Sequence, residues 1–319
     1  MSEPGRDLHT REEAAAAAGV EPERVDRIWR AAGLPSVSAG IPHFTDRDVE
    51  IIQAFSVGSD LFGEGSVLRF TRVLGQSLSR IAEAALAMAV ADLSGPLELA
   101  GVDESTRERA TDEATGALAL VPSVLEGLFP HHIEIAVRRF TLSRPEGALR
   151  TVKLVVAFLD LVGFTERSGV LSNEDLAVAV ADFETMAGGV IAAHDSRLVK
   201  MIGDEVMYVS TDAGVAAEIA LELRDAVAGH PVLAGLRGGM VFGEVVTQDG
   251  DYYGAEVNLA ARIVGCAAPG QILGSAAVAD ALAAYQPIRT RDVGERTVRG
   301  FELPVAVYAI ERSSDGREL

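Results

Sequence analysis

Arg197-Leu-Val-Lys-Met-Ile-Gly-Asp-Glu-Val-Met-Tyr-Val-Ser210 is the stretch on which the reading turns. Two short apolar runs, 198–202 and 206–209, flank Gly203-Asp204-Glu205. Gly-Asp between two such runs signals a hairpin. The hairpin holds a carboxylate, Asp204, at the tip of two buried strands and sets Lys200 inside one of them. Buried strand positions rarely carry Lys unless its charge is paired or used. Of the 28 basic residues only Lys153 and Lys200 are lysines, so a chain that otherwise writes Arg has a compact point charge here. A strand-edge Lys reaching to water is the plainer alternative.

Upstream, 152–159 is a buried strand ending in Asp160, followed by Leu-Val-Gly-Phe164-Thr165. A carboxylate at a strand end before a tight Gly turn can hold a metal, and the turn can aim backbone N–H groups at phosphate oxygens. Alone, such an Asp is as often a helix cap. Paired with Asp204 on a neighbouring strand tip it becomes a two-carboxylate Mg²⁺ site, since Mg²⁺ is usually held by one or two carboxylates plus substrate phosphates. Downstream, Asn258 and Arg262 fall four apart on an expected helix over 257–266 and share a face. Asn173 and Asn258 are the only asparagines. Helices over 173–193, 213–228 and 276–284, strands over 236–246 and 271–273, and a hairpin near 291–310 complete the second half. This order predicts helices on one face of a mainly antiparallel sheet.

Residues 1–140 read as helices only. Thr10 with Glu13 and Thr45 with Asp48 are capping boxes, and Gly19 and Gly33 are stops. Helices are expected over 66–93, 104–119 and 122–128, and Pro130 is expected to start a further one, placing His131 and His132 at a helix N-terminus. There the partial positive charge of the helix end would oppose protonation, so the pair is a candidate pH-responsive element. Residues 141–151 are polar with Pro and Gly and read as a linker to a second domain at 152–319.

The net charge of -19 and pI of about 4.7 disfavour a phosphate-backbone partner. The first fifty residues share helix, turn, helix, GLP and FTDRD with the DNA-binding head of MerR-type regulators, and Arg24, Arg27 and Arg30 fall three apart. Glu21, Glu23 and Asp26 interleave with them and argue against DNA. The single cysteine, Cys266, excludes an internal disulfide and fits a reducing compartment. Neither a signal peptide nor an apolar run of membrane-spanning length is read, so no membrane is expected and the location is expected to be cytoplasmic.

Four blocks in order, VAFLDLVGFTERS, RLVKMIGDEVMYVS, YYGAEVNLAARI followed by APGQIL, and VRGFELPVAVY, resemble the catalytic domain of class III nucleotidyl cyclases over about 150–312. The helical half more loosely resembles the regulatory domain of soluble mycobacterial cyclases described as pH-responsive. The resemblance implies an α+β, ferredoxin-like domain after an all-α domain, ATP as substrate, two Mg²⁺ or Mn²⁺ ions per site, and a homodimer. It further implies that Asp160 and Asp204 bind the metals, that Lys200 and Asp251 read the base, that Asn258 orients the ribose, and that Arg262 stabilises the transition state. Phe164 and Thr165 would lie along the substrate. Several relatives place a basic residue after Gly243 where this chain has Glu244, so Arg296 or Arg299 is the expected triphosphate contact. A guanylate or dual-specificity cyclase is the alternative, as is a non-catalytic nucleotide-binding relay in a helix-turn-helix regulator.

Overall fold

A computed structural model describes residues 8–89, 103–142, 151–164 and 172–313. The chain divides into two compact units, Met1–Ile135 and Ala136–Leu319.

The first unit is helical. Helix α1 (Arg11–Ala18) opens on the Thr10–Glu13 capping box and stops at Gly19, whose φ of 70° is left-handed. Helix α2 (Pro22–Ala31) follows, then α3 (Asp46–Phe62) on the Thr45–Asp48 box. After Gly63 come α4 (Glu64–Ala89), α5 (Glu104–Leu118) and α6 (Val121–Leu142), whose residues from Ala136 onward belong to the second unit. Ala14, Ala15, Val25, Ile28, Phe44, Val49 and Ile52 form the unit's core. In α2, Arg27 is paired to Glu64 at 2.9 Å and Arg30 donates to the Asp26 carbonyl at 3.2 Å. Two of the three spaced arginines therefore already have partners within the unit.

Pro130 does not start a helix. It lies inside α6, and His131 and His132 sit mid-helix on exposed positions. Proline removes one i to i−4 hydrogen bond. Glu126, whose carbonyl loses it, is exposed, so water can take the place of the missing donor. The helix-end charge invoked for the histidine pair is therefore not present at either residue.

The second unit is a mixed sheet with helices. Its elements are β1 (Thr151–Leu161), α7 (Asn173–Ala193), β2 (Arg197–Ile202), β3 (Glu205–Ser210), α8 (Ala213–Ala228), β4 (Leu236–Gln248), β5 (Asp251–Tyr253), α9 (Ala255–Val264), β6 (Ile272–Ser275), α10 (Ala276–Leu282), β7 (Ile288–Arg296) and β8 (Val305–Arg312). The strand order is β2-β3-β1-β4-β6-β8-β7, with β5 paired to β4. Every pair is antiparallel except β4–β6.

The helices do not keep to one face. Val155, Ala157 and Leu159 of β1 pack with α7, α8 and α10, while Leu154, Val156 and Phe158 pack with Ala260, Ile263 and Val264 of α9. The unbroken apolar run of β1 is the reason: side chains alternate faces, so a strand apolar at every position needs both faces covered. Glycine sets how closely α9 approaches. A Cβ on Gly239 would meet the Ala260 carbonyl oxygen and the Val264 nitrogen, each at 2.7 Å.

One helix, over Asp175–Ala193, is long and apolar enough to cross a membrane by length and composition, with a mean hydropathy of 1.5. The expectation that no stretch is long enough overlooked it, because isolated charges divide it into short runs. Its Ala179, Phe183, Ala187 and Ile191, four apart, form one stripe buried against the sheet, while Val178 on another side is exposed.

Candidate active site

Asp160 is the last residue but one of β1, within the strand rather than beyond it. It shares a sheet face with Phe158, hence with α9. Its cross-strand neighbours are Glu205 on β3 and Arg237 on β4. Arg237 donates Nε and Nη2 to the same oxygen, Asp160 Oδ2, at 2.8 and 2.6 Å. The Asp160 side chain is 15% exposed.

Asp204 occupies the β2–β3 turn, which Gly203 permits with a φ of 65°. The Leu161 N–H donates to the Asp204 carbonyl at 3.1 Å and ties the turn to the end of β1. Burial holds the Asp204 carboxyl above the usual carboxylate range, and the Asp160 charge adds to this. Burial, then Asp160, then Asp204 push Glu205 up to about 7. Three carboxyl groups thus crowd one end of the sheet around a single packed guanidinium, which favours a cation there. Among the described residues no group of three or more His, Cys, Asp or Glu side chains is disposed to hold a metal by itself. Two carboxylates completed by substrate oxygens is the donor set that suits Mg²⁺ or Mn²⁺, and Asp160 with Asp204 fits it.

Lys200 and Asp251, 51 residues apart, form an ion pair between Lys200 Nζ and Asp251 Oδ2. The other oxygen, Oδ1, accepts from the Tyr252 N–H at 2.8 Å. Asp251 opens β5, a strand the sequence reading did not separate from the helix behind it. Asn258 and Arg262 lie one turn apart on the exposed side of α9. No hydrogen bond or ion pair among the described residues links them, or the Lys200–Asp251 pair, to Asp160 or Asp204.

Phe164 packs against the core on the α7 side, and Thr165 lies outside the described residues. Arg299 is on an exposed turn after β7, and Arg296 donates to the Glu295 carbonyl at 3.0 Å. Among the described residues neither makes a hydrogen bond or ion pair with the carboxylates. Glu244 is exposed opposite Lys153. The residues that sequence reasoning missed are Glu205 and Arg237. Once the hairpin and β4 are in register, both fall directly opposite Asp160, and a charged residue at the inner end of each apolar strand was the available signal.

The family described as "Adenylate and Guanylate cyclase catalytic domain" matches residues 148–312. An adenylate cyclase of Streptomyces coelicolor is 34% identical over 285 residues, covering 88% of this chain and 72% of that protein. A pH-sensitive adenylate cyclase of Mycobacterium tuberculosis is 28% identical over 315 residues, covering 93% of this chain and 76% of that protein, so its likeness extends through the helical half. Among solved structures, the adenylyl cyclase CyaB from P. aeruginosa is 28% identical, with a TM-score of 0.46, covering 52% of this chain and 98% of that one. With its second half matched throughout by the family and a relative of this identity along most of its length, the chain belongs to the adenylate and guanylate cyclase catalytic domain family.

Proposed function

We propose that the protein is an adenylate cyclase that converts ATP to 3′,5′-cyclic AMP and pyrophosphate. The observation that carries the choice of base is the meeting of Lys200 with Asp251. Adenine presents an acceptor at N1 and a donor at its exocyclic amine. Lysine only donates and an ionised aspartate only accepts, so the pair matches that edge, whereas guanine presents the reverse order.

Asp160 and Asp204 would hold two Mg²⁺ or Mn²⁺ ions. When bound, such ions lower the pKa of the ribose 3′-hydroxyl and offset triphosphate charge. The 3′-oxygen attacks the α-phosphorus of the same nucleotide and pyrophosphate leaves. Arg262 donates to the charge that develops at the α-phosphate, and Asn258 orients the ribose. Arg237, packed on Asp160, is a better-placed cation for the triphosphate than Arg299 on its exposed turn.

Asn258 and Arg262 are exposed, and among the described residues no hydrogen bond or ion pair joins them to Asp160 or Asp204, which supports a site shared between two copies. A homodimer would hold two equivalent sites. The helical half would then regulate the cyclase. Purified protein given ATP or GTP with Mg²⁺ or Mn²⁺, its products separated chromatographically, tests the proposal. Cyclic AMP from ATP, with GTP at least about tenfold poorer in kcat/KM, is expected from the base contacts. Faster turnover of GTP would make it a guanylate cyclase, and nucleotide binding without cyclisation would make it a relay.

A further inference from the structure

Strand β2, which carries Lys200, is at the edge of the sheet. None of its residues is fully buried, and its register slips between Leu198 and Lys200. An edge strand with a break in its ladder takes its position from what holds its ends. One end is the Gly203-Asp204 turn. The other is His194-Asp195-Ser196, where Asp195 has a left-handed φ of 51° and Ser196 is buried.

Arg139, in the last turn of α6, donates Nη2 to the Ser196 carbonyl oxygen at 2.8 Å. Its Nε is buried with no hydrogen-bond partner among the described residues. The charged and titratable groups around it are Asp195, Arg197, Tyr252 and Arg138. A guanidinium that is partly buried, held by one carbonyl and left with an unsatisfied N–H, does little to stabilise a fold. What it does fix is where β2 begins. The next residue, Arg197, donates to the Gly250 carbonyl and to the Tyr252 hydroxyl, and lies 5.4 Å from the Tyr252 ring centroid. Gly250 and Tyr252 flank Asp251. One run of contacts therefore passes from Arg139 through Ser196 and Arg197 to β5, and closes at the Lys200–Asp251 pair.

We propose that Arg139 is a positioning residue for base recognition: by anchoring the start of β2 it sets Lys200 against Asp251. This rests on the reading of Lys200 and Asp251 as the base-reading pair.

The test is steady-state kinetics of the full-length protein with ATP and with GTP, for wild type, Arg139→Gln, Arg139→Lys, Arg138→Ala and Lys200→Glu, together with amide hydrogen exchange without nucleotide. Arg139→Gln should raise KM for ATP about tenfold and narrow the preference for ATP, with kcat changed by only about threefold. Arg139→Lys, which keeps a charged donor, should recover most of this. Arg138→Ala removes an ion pair to Asp195 that is exposed on both sides and should stay within about twofold of wild type. Exchange in Arg139→Gln should quicken in β2 and β5 alone. Wild-type KM and selectivity in Arg139→Gln, while Lys200→Glu shifts selectivity, would overturn the proposal. An unchanged ATP preference in Lys200→Glu would remove the base reading and the proposal with it. If Arg139→Gln loses turnover entirely, exchange decides: quickening confined to β2 and β5 supports positioning, and quickening throughout the second unit makes Arg139 a structural residue and overturns it.

Discussion

Replacing Asp160 by Asn should abolish turnover while leaving the metal-free fold nearly as stable. The catalytic loss follows from triphosphate charge left uncompensated, and at least about 10²-fold is expected, the scale for removing one electrostatic stabiliser. The effect on stability is a balance of two small terms. The substitution removes the ion pair with Arg237, whose side chains are 15% and 36% exposed, and a partly solvated pair contributes at most about 1 kcal/mol. It also removes a charge that raises both Asp204 and Glu205. Glu205 titrates at about 7 in the fold against 4.5 as a free side chain. Between those values the folded protein binds the extra proton, so stability falls as pH rises through that window and stays lowered above it. At pH 8 the Asn variant recovers part of that loss. The net change is within about 1 kcal/mol, or about 4 °C in Tm for a domain of this size. Pyrophosphate release and thermal melts in chelator at pH 8 measure the two halves. Turnover within a few-fold of wild type would refute the metal assignment. A fall in Tm beyond about 10 °C would show instead that Asp160 is chiefly an anchor for Arg237, and that lost turnover reports lost structure.

Three further outcomes are expected. Lys200→Glu combined with Asp251→Cys should weaken ATP use and admit GTP, because it reverses the donor–acceptor pattern; unaffected ATP turnover would show that these residues do not read adenine. Equimolar Asp160→Ala and Arg262→Ala, each inactive alone, should regain about one quarter of wild-type activity once subunits exchange, since half the dimers are mixed and one of their two sites is intact; no recovery in mixtures shown to exchange would place the site within one chain. His131→Ala with His132→Ala should keep the wild-type pH profile between about pH 5.5 and 8, because both are exposed residues in the middle of α6 and away from its ends. A profile that changes in that double variant, and changes in the same way in a chain truncated to start at Ala148, would return the histidine pair to a sensing role.

What the sequence made legible was whatever local chemistry decides. The capping boxes at Thr10 and Thr45, the stop at Gly19 and the Gly203 turn are fixed within four or five residues, and all four form as the residues dictate. Pro130 was misread because proline is compatible with two outcomes. It can open a helix or lie within one, and the choice rests on whether Glu126 is solvated, which no neighbouring residue states. The placement of α9 was misread for a different reason. The unbroken apolar run of β1 already implied cover on both faces, but which helix supplies it depends on Gly239, whose missing side chain lets α9 pack closely on β4.

The site divides along the same line. Asp160, Asp204, Lys200 and Asn258 stand out because each is unusual where it stands: a carboxylate at the end or tip of apolar strands, a rare lysine, a rare asparagine; Arg262 is marked by its spacing from Asn258, and Asp251 by the family resemblance alone. Glu205 and Arg237 also stand at the ends of apolar strands, but nothing local separates them from the chain's other charges. Their significance is a matter of register, since only the pairing of β3, β1 and β4 sets Glu205, Asp160 and Arg237 in one row across the sheet. That row bears on the proposed metal site. Without an ion, Arg237 is the cation that offsets Asp160, and it shares the carboxylate with no other side chain among the described residues. Were Asp160 to hold a divalent ion, Arg237 would stand beside it as a second cation able to meet triphosphate charge, the role left open where this chain has Glu244 in place of the relatives' basic residue.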